Sequence, residues 1–100
     1  MNEFYGSKHW SARYKIANLY HQSVVLQSRN KGKIESYPIK AFYRFFFKGR
    51  LPDVSNAPVK LIEDGLVMAG VLQGDSPKYV REISVSVEKG KEDFVEVEII

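Results

Sequence analysis

Two hydrophobic periods alternate along the 100 residues and divide them into elements. From about Ser7 to Arg29, the residues Trp10, Tyr14, Ala17, His21, Val24, Val25 and Ser28 recur at steps of three and four, which predicts an amphipathic helix. Asn30-Lys31-Gly32 ends it, since glycine accepts the left-handed conformation common just past a helix. Arg13, Lys15 and Arg29 fall on its wet side. After Tyr37-Pro38 the period changes to two. "IKAFYRFFFK" puts Ile39, Ala41, Tyr43, Phe45 and Phe47 on one face of a strand, and Lys40, Phe42, Arg44, Phe46 and Lys48 on the other. That second face mixes charge with Phe42 and Phe46, which need a cover from the long helix or a partner chain. Gly49-Arg50-Leu51-Pro52 is a turn or loop.

A second helix is predicted from about Pro58 to Ala69, with proline in the first turn, where its missing N–H costs no helical bond. Ser55 or Asn56 is its expected cap, and Ala69-Gly70 its end. Val59, Ile62, Leu66 and Ala69 form the inner stripe, widened by Leu61, Val67 and Met68, while Lys60, Glu63 and Asp64 form a polar strip. Alternation returns at Val80, Ile83, Val85 and Val87, and again at Val95, Val97 and Ile99. The polar "EKGKED" between these runs reads as a hairpin connection. The order helix, strand, helix, strand, strand predicts an α+β fold, with two helices packed on a small mixed or antiparallel sheet.

Composition narrows the class. The length suits one domain covering residues 1–100. A 44% hydrophobic and 13% aromatic content belongs to a folded chain. No apolar run reaches the ~20 residues of a membrane helix, and no signal-peptide pattern opens the chain. The absence of cysteine excludes disulfides and thiolate zinc sites, and fits a cytoplasmic protein. The net charge of +3 conceals a division, because residues 1–50 carry +8 and residues 51–100 carry −5. A basic half can hold phosphates and an acidic half can hold metal ions, although two oppositely charged faces of an ordinary domain have the same signature.

The chain lacks a phosphate-cradling glycine loop, a serine-nucleophile elbow, an HExxH helix and a cysteine nucleophile. His9 and His21 read as packed or hydrogen-bonded histidines rather than ligands. The remaining chemistry is acidic. Asp53 follows the aromatic strand and Asp75 follows the second helix, so their loops can converge. Two carboxylates held there suit Mg²⁺, which takes oxygen ligands and keeps several waters; both are equally ordinary turn residues. Lys60 and Asp64, four apart on the helix, read either as a weak surface pair or as a lysine poised for a phosphate.

The order of these residues resembles the RusA family of Holliday junction resolvases, found in bacteria and largely carried by phages. The motifs are the basic strand "YPIKAFYRFFFKGRLP", the segment "DVSN", the helix "VKLIEDGLVMAG" and the piece "VLQGDSPKYV", together spanning about residues 37–88. The N-terminal "NEFYGSKHWSARYK" is similar to the opening of phage members. The resemblance implies that Asp53 and Asp75 hold Mg²⁺ (or Mn²⁺), with Asn56 and Asp64 in support. It also implies that Lys60 stabilises the scissile phosphate, so that Asp53, Lys60 and Asp75 form the catalytic set. The implied substrate is branched DNA, cut by phosphodiester hydrolysis and gripped by Lys40, Arg44, Lys48, Arg50, Lys78 and Arg81. The implied assembly is a homodimer, in the cytoplasm of a bacterial host, phage- or prophage-encoded.

The chain departs from the family pattern at Ser55 and Gly74, each standing where an aspartate belongs, and holds one extra residue near Ala57-Pro58. Asp64 or Glu63 compensates if its side chain points into the site. The family also places a strand before its first helix, whereas this chain is expected to begin almost at the helix, with its sheet one strand smaller or completed by a partner. Two other readings stand beside the nuclease. One is a junction-binding module that has lost its chemistry, and the other is a phage protein-interaction domain.

Overall fold

Alternation is strongest at Ile39–Phe47, and this segment becomes the strand on which the sheet is built. The computed structural model describes residues 10–16, 21–28 and 31–100. Its elements are β1 (Trp10–Lys15), α1 (His21–Ser28), β2 (Ile39–Phe47), a 3-10 turn (Val54–Asn56), α2 (Val59–Met68), β3 (Val80–Lys89) and β4 (Phe94–Ile99). The strands form one sheet in the order β1-β4-β2-β3, with β2 antiparallel to β4 and parallel to β3. The fold is therefore α+β, with helices on a small mixed sheet. Among the described residues no helix is long and apolar enough to cross a membrane.

The inward row of β2 is Ile39, Ala41, Tyr43 and Phe45, none more than 3% exposed. It packs with Tyr14 of β1, with Val95, Val97 and Ile99 of β4, and with Val24, Ile62, Leu66, Val71 and Leu72 from the helical side. Even-numbered residues of β2 and β4 line the other face. There Phe46 stacks on Phe94 at 4.7 Å between ring centroids, Arg13 lies 4.2 Å over the Phe94 ring, and Arg44 lies over Phe42 at 6.0 Å. Phe42 and Phe46 thus receive their partial cover from neighbours on the sheet, not from the helix.

Four expectations are corrected. Within the segment read as one helix from Ser7 to Arg29, Trp10–Lys15 form strand β1 and His21–Ser28 form α1. Trp10 and Tyr14 stand four apart, a spacing that satisfies period two as well as the helical period; pairing with β4, Trp10 opposite Ile99 and Tyr14 opposite Val95, selects the strand. The chain therefore has the strand before its first helix that was expected to be missing. His9, Ala17, Arg29, Asn30 and the side chain of His21 lie outside the described residues. Tyr14 ties the two elements together through a buried 2.6 Å hydrogen bond between its hydroxyl and that of Ser28.

The expected hairpin between the last two strands is also absent, because β2 lies between β3 and β4. The "EKGKED" connection instead crosses the end of β2. The Gly90 N–H donates to the Phe47 carbonyl at 3.0 Å, and the Lys48 N–H donates to the Asp93 carboxylate at 2.9 Å. Ser55 and Asn56 do not cap α2. They sit in the 3-10 turn, closed by Asn56 N–H to Asp53 carbonyl at 2.9 Å and Ala57 N–H to Val54 carbonyl at 3.1 Å, and Pro58 takes the cap position without a side-chain bond. At its other end α2 stops as expected. Gly70 adopts φ +82°, and the Val71 N–H turns back to the Leu66 carbonyl at 3.0 Å. Gly32 likewise has φ +81°.

The helices approach each other where Gly65 of α2 faces Val24 of α1. A Cβ on Gly65 would stand 2.6 Å from both Cβ and Cγ1 of the fully buried Val24. Gly65→Ala gains about 1 kcal/mol of helix propensity but overpacks this contact at a cost of about 1–3 kcal/mol. We expect a net fall in Tm. Adding Val24→Ala to Gly65→Ala should give a chain more stable than the two single effects sum to, as read from thermal unfolding of all four chains.

Candidate functional site

The first turns of α2 place Lys60, Glu63 and Asp64 at i, i+3 and i+4, a spacing that brings all three side chains to one surface. The chain after α2 then doubles back. Val71 and Leu72 are buried anchors, the Ile34 N–H donates to the Val71 carbonyl at 2.8 Å, and the Gln73 N–H donates to the Tyr37 hydroxyl at 2.9 Å. Tyr37 meets Tyr79 edge-on at 5.1 Å, and the Tyr79 N–H closes the loop on the Ser76 carbonyl at 2.8 Å. These contacts fix the loop that carries Asp75.

The result is a lysine held by carboxylates from two elements. Lys60 Nζ donates to Asp75 Oδ2 at 2.6 Å and lies 3.0 Å from Asp64 Oδ1 and 4.0 Å from Glu63 Oε1. The Lys60 side chain is 69% exposed, so these pairs contribute little to stability; what they fix is geometry. The hydrogen bond to Asp75, then that to Asp64, raises the Lys60 pKa. The bond from Lys60 and its charge in turn hold the Asp75 carboxyl below its ordinary range. The Lys60–Asp75 pair stays ionised through neutral pH.

Glu63 departs from the polar strip assigned to it. It is only 9% exposed, and burial pushes its carboxyl pKa up against the opposing pull of Lys60. Its charge also reaches Tyr43, whose fully buried hydroxyl has no hydrogen-bond partner among the described residues. Burial raises the Tyr43 pKa first, and Glu63 adds to the shift.

Asp53 precedes the 3-10 turn as an exposed residue whose side chain makes no capping hydrogen bond to that turn. Asn56 is exposed at the end of the same turn. Ser55 is also exposed there, whereas Gly74 is half-buried, and a Cβ added at Gly74 would meet Tyr79 Cδ2 and Cε2 at 2.7 Å. The structure thus joins Lys60, Asp64, Asp75 and Glu63, and leaves Asp53 and Asn56 on the adjoining turn.

The basic residues assigned to DNA are dispersed. Lys40 and Arg44 stand on the sheet face away from the helices, each matched by acids. Lys40 lies 3.8 Å from Glu82, and Arg44 bonds Glu98 and lies 3.9 Å from Glu96. Lys48 and Arg50 are exposed beyond β2, Lys78 lies 5.3 Å over the Tyr79 ring, and Arg81 is exposed at the start of β3. Sequence reading missed the glutamates that hold Arg44. The alternating acids Glu96 and Glu98 were the available signal, but only the register of β2 against β4 pairs them with Arg44.

Donor chemistry decides whether a divalent ion fits. Asp64 and Asp75 already converge on one cation, the Lys60 ammonium, and hard carboxylate oxygens of this kind suit Mg²⁺, which is commonly held through one or two carboxylates with substrate phosphate. Among the described residues no three His, Cys, Asp or Glu side chains are gathered closely enough to hold a metal ion by themselves. The site fits an open, two-carboxylate arrangement and not a closed cage.

The Glu63 environment has a measurable consequence. A carboxyl whose folded pKa is raised favours the folded state below its unfolded value, and that contribution is lost as pH rises through the folded value. Glu63→Gln, which cannot ionise, should therefore raise Tm at neutral pH, by roughly a few degrees in a chain of this size. The difference from the parent should vanish below about pH 4, where both side chains are neutral. Thermal unfolding across pH 3–8 reads this directly.

Comparison of the chain with protein-family models, with curated proteins and with solved structures returned no match.

Proposed function

We propose that this chain is a metal-dependent endodeoxyribonuclease that cleaves branched DNA of the four-way-junction type, acting as a homodimer in a bacterial cytoplasm. The observation that carries this reading is the meeting of Lys60, Asp64 and Asp75. The RusA resemblance assigns roles to these three residues from their order alone, and the Asp64 and Asp75 carboxylates lie 3.0 and 2.6 Å from Lys60 Nζ. Strand β1 ahead of α1 supports the same resemblance.

In this reading Asp75 and Asp64 hold Mg²⁺ or Mn²⁺, with Asp53 and Asn56 supplying further oxygens from the neighbouring turn. Such an ion would supply Lewis-acid activation of water and charge neutralisation at the phosphate. The lowered pKa of Asp75 keeps it an anion at working pH, able to act as a ligand. Lys60, exposed and on a flexible stem, exchanges a carboxylate oxygen for a non-bridging phosphate oxygen and stabilises the charge that grows in the transition state. Lys48 and Arg50, just ahead of Asp53, are the cations best placed along the chain to hold the flanking phosphates.

A second reading follows from Gly74. Tyr79 fills the space an aspartate would need, and Lys60 already neutralises one of the remaining carboxylates. A chain so depleted of acid binds junctions through phosphates, with strong salt dependence, and cuts nothing.

The test is cleavage of a synthetic four-way junction in Mg²⁺ and in Mn²⁺. The nuclease reading expects paired nicks, reduced about 100-fold or more by Lys60→Ala, in the range seen for loss of one transition-state donor, and abolished by Asp75→Asn. Junction binding without nicks in either metal favours the binding module. Failure to bind DNA even at low salt overturns both.

A further inference from the structure

β3 has β2 on one side and no strand on the other among the described residues. An edge strand presents unpaired N–H and C=O groups, and proteins that stay monomeric guard such edges with short length, charge or proline. The opposite edge, β1, is guarded in that way, with six residues that include Arg13 and Lys15. β3 is ten residues long, and its middle, Ile83-Ser84-Val85-Ser86-Val87, contains neither charge nor proline. Its apolar row is also incompletely covered. Ile83 belongs to the inward face, opposite Ala41, yet is 45% exposed. Val54, in the 3-10 turn that packs against β3, is 50% exposed.

We propose that β3 pairs antiparallel with β3 of a second copy, about a two-fold axis through Ser84, joining two four-stranded sheets into one. The strand's own sequence selects this occupant. A two-fold axis between antiparallel edge strands runs perpendicular to the sheet, keeps both helical layers on the same side, and sets residues of like face opposite each other. With the axis at Ser84, Ile83 lies opposite the partner's Val85 on the helix side, twice over, and Glu82 lies opposite the partner's Ser86 on the open side. Arg81, the bulged residue against β2, falls at the end of the ladder. Moving the axis to Val85 sets Glu82 opposite the partner's Glu88, a like-charge pair that destabilises. Moving it to Ile83 leaves Val87 outside the ladder. The Ser84 register covers Ile83 and opposes no like charges.

This inference rests on the homodimer of the proposed function and names the strand and register that join its two copies, whether or not the chain cuts DNA. Its test uses the absence of cysteine, which makes a single introduced thiol unambiguous. Ser84 is exposed, so substitution there leaves the core intact. At high micromolar concentration, sedimentation should give twice the 11.5 kDa chain mass, and Ser84→Lys, which opposes two ammonium groups across the axis, should return the mass to one folded chain, with a Tm that no longer rises with protein concentration. Ser84→Cys should cross-link to a disulfide dimer under mild oxidation with glutathione disulfide. Ser86→Cys should not, because its symmetry mate lies four residues along the strand, roughly 13 Å away at about 3.3 Å per residue. A parent chain that sediments as a monomer overturns the proposal. So does a dimer indifferent to Ser84→Lys, or cross-linking of Ser86→Cys in preference to Ser84→Cys.

Discussion

The pairing of β2 with a parallel neighbour governs most of what this chain can do. β2 is buried along its inward row, with Tyr43 and Phe45 at 0% exposure, and takes β4 on one side and β3 on the other. An antiparallel neighbour can be reached by a tight turn, but a parallel one needs a crossover of a dozen or more residues that returns the chain to the end where the strand began. Residues 48–79 are that crossover. They contain the 3-10 turn, α2 and the loop braced by Tyr37 and Tyr79. Lys60, Asp64, Asp75 and Asp53 all lie on it, so the polar cluster exists because β3 is parallel to β2. The same pairing leaves β3 as the outer edge.

Within the crossover, electrostatics sets what can approach. Lys60, Asp64 and Asp75 together carry a net charge of −1, and an ionised Glu63 would add to it. Burial disfavours that ionisation, which keeps the cluster close to balanced. In the proposed nuclease, a phosphate diester would meet one exposed ammonium already shared between two carboxylates, and its entry would be favoured once another cation took over those carboxylates. The pairing is durable against pH because the two shifts run in opposite directions. The raised pKa of Lys60 preserves its side of the pair until pH climbs above the ordinary lysine value, and the lowered pKa of Asp75 preserves the other until pH falls below the ordinary carboxylate value.

The sequence was most legible where one local rule acted alone. The alternation of β2 and β4, the apolar stripe of α2 and its Gly70 end all follow from period and turn chemistry. It was ambiguous where two rules agreed. Trp10 and Tyr14 fit either period, and only the contact with Val95 and Ile99 decides between them. It was silent where the answer depends on long-range order. Nothing local in "EKGKED" says that β2 intervenes between the strands it joins, and nothing in the helical wheel says that Glu63 is buried beside Lys60. For the candidate site, the i, i+4 pair was readable, and the arrival of Asp75 was suggested by motif order alone. The distance from Asp53 was not readable, since it depends on how the 3-10 turn closes.

The two positions that depart from the resemblance differ in kind. Ser55 is exposed on the 3-10 turn. Gly74 is confined, because a Cβ there would meet the Tyr79 ring at 2.7 Å and the ring would have to shift. That ring is itself held by Tyr37, whose hydroxyl takes the Gln73 N–H one residue before Gly74. An aromatic brace therefore stands where a second acid would have been. Two adjacent carboxylates raise one another's pKa and need a cation to stay ionised together. Asp75 is carried on the braced loop, and its hydrogen bond to Lys60 orients its carboxylate and keeps it ionised. In the proposed nuclease the loop would offer this one charged carboxylate where the family pattern has two.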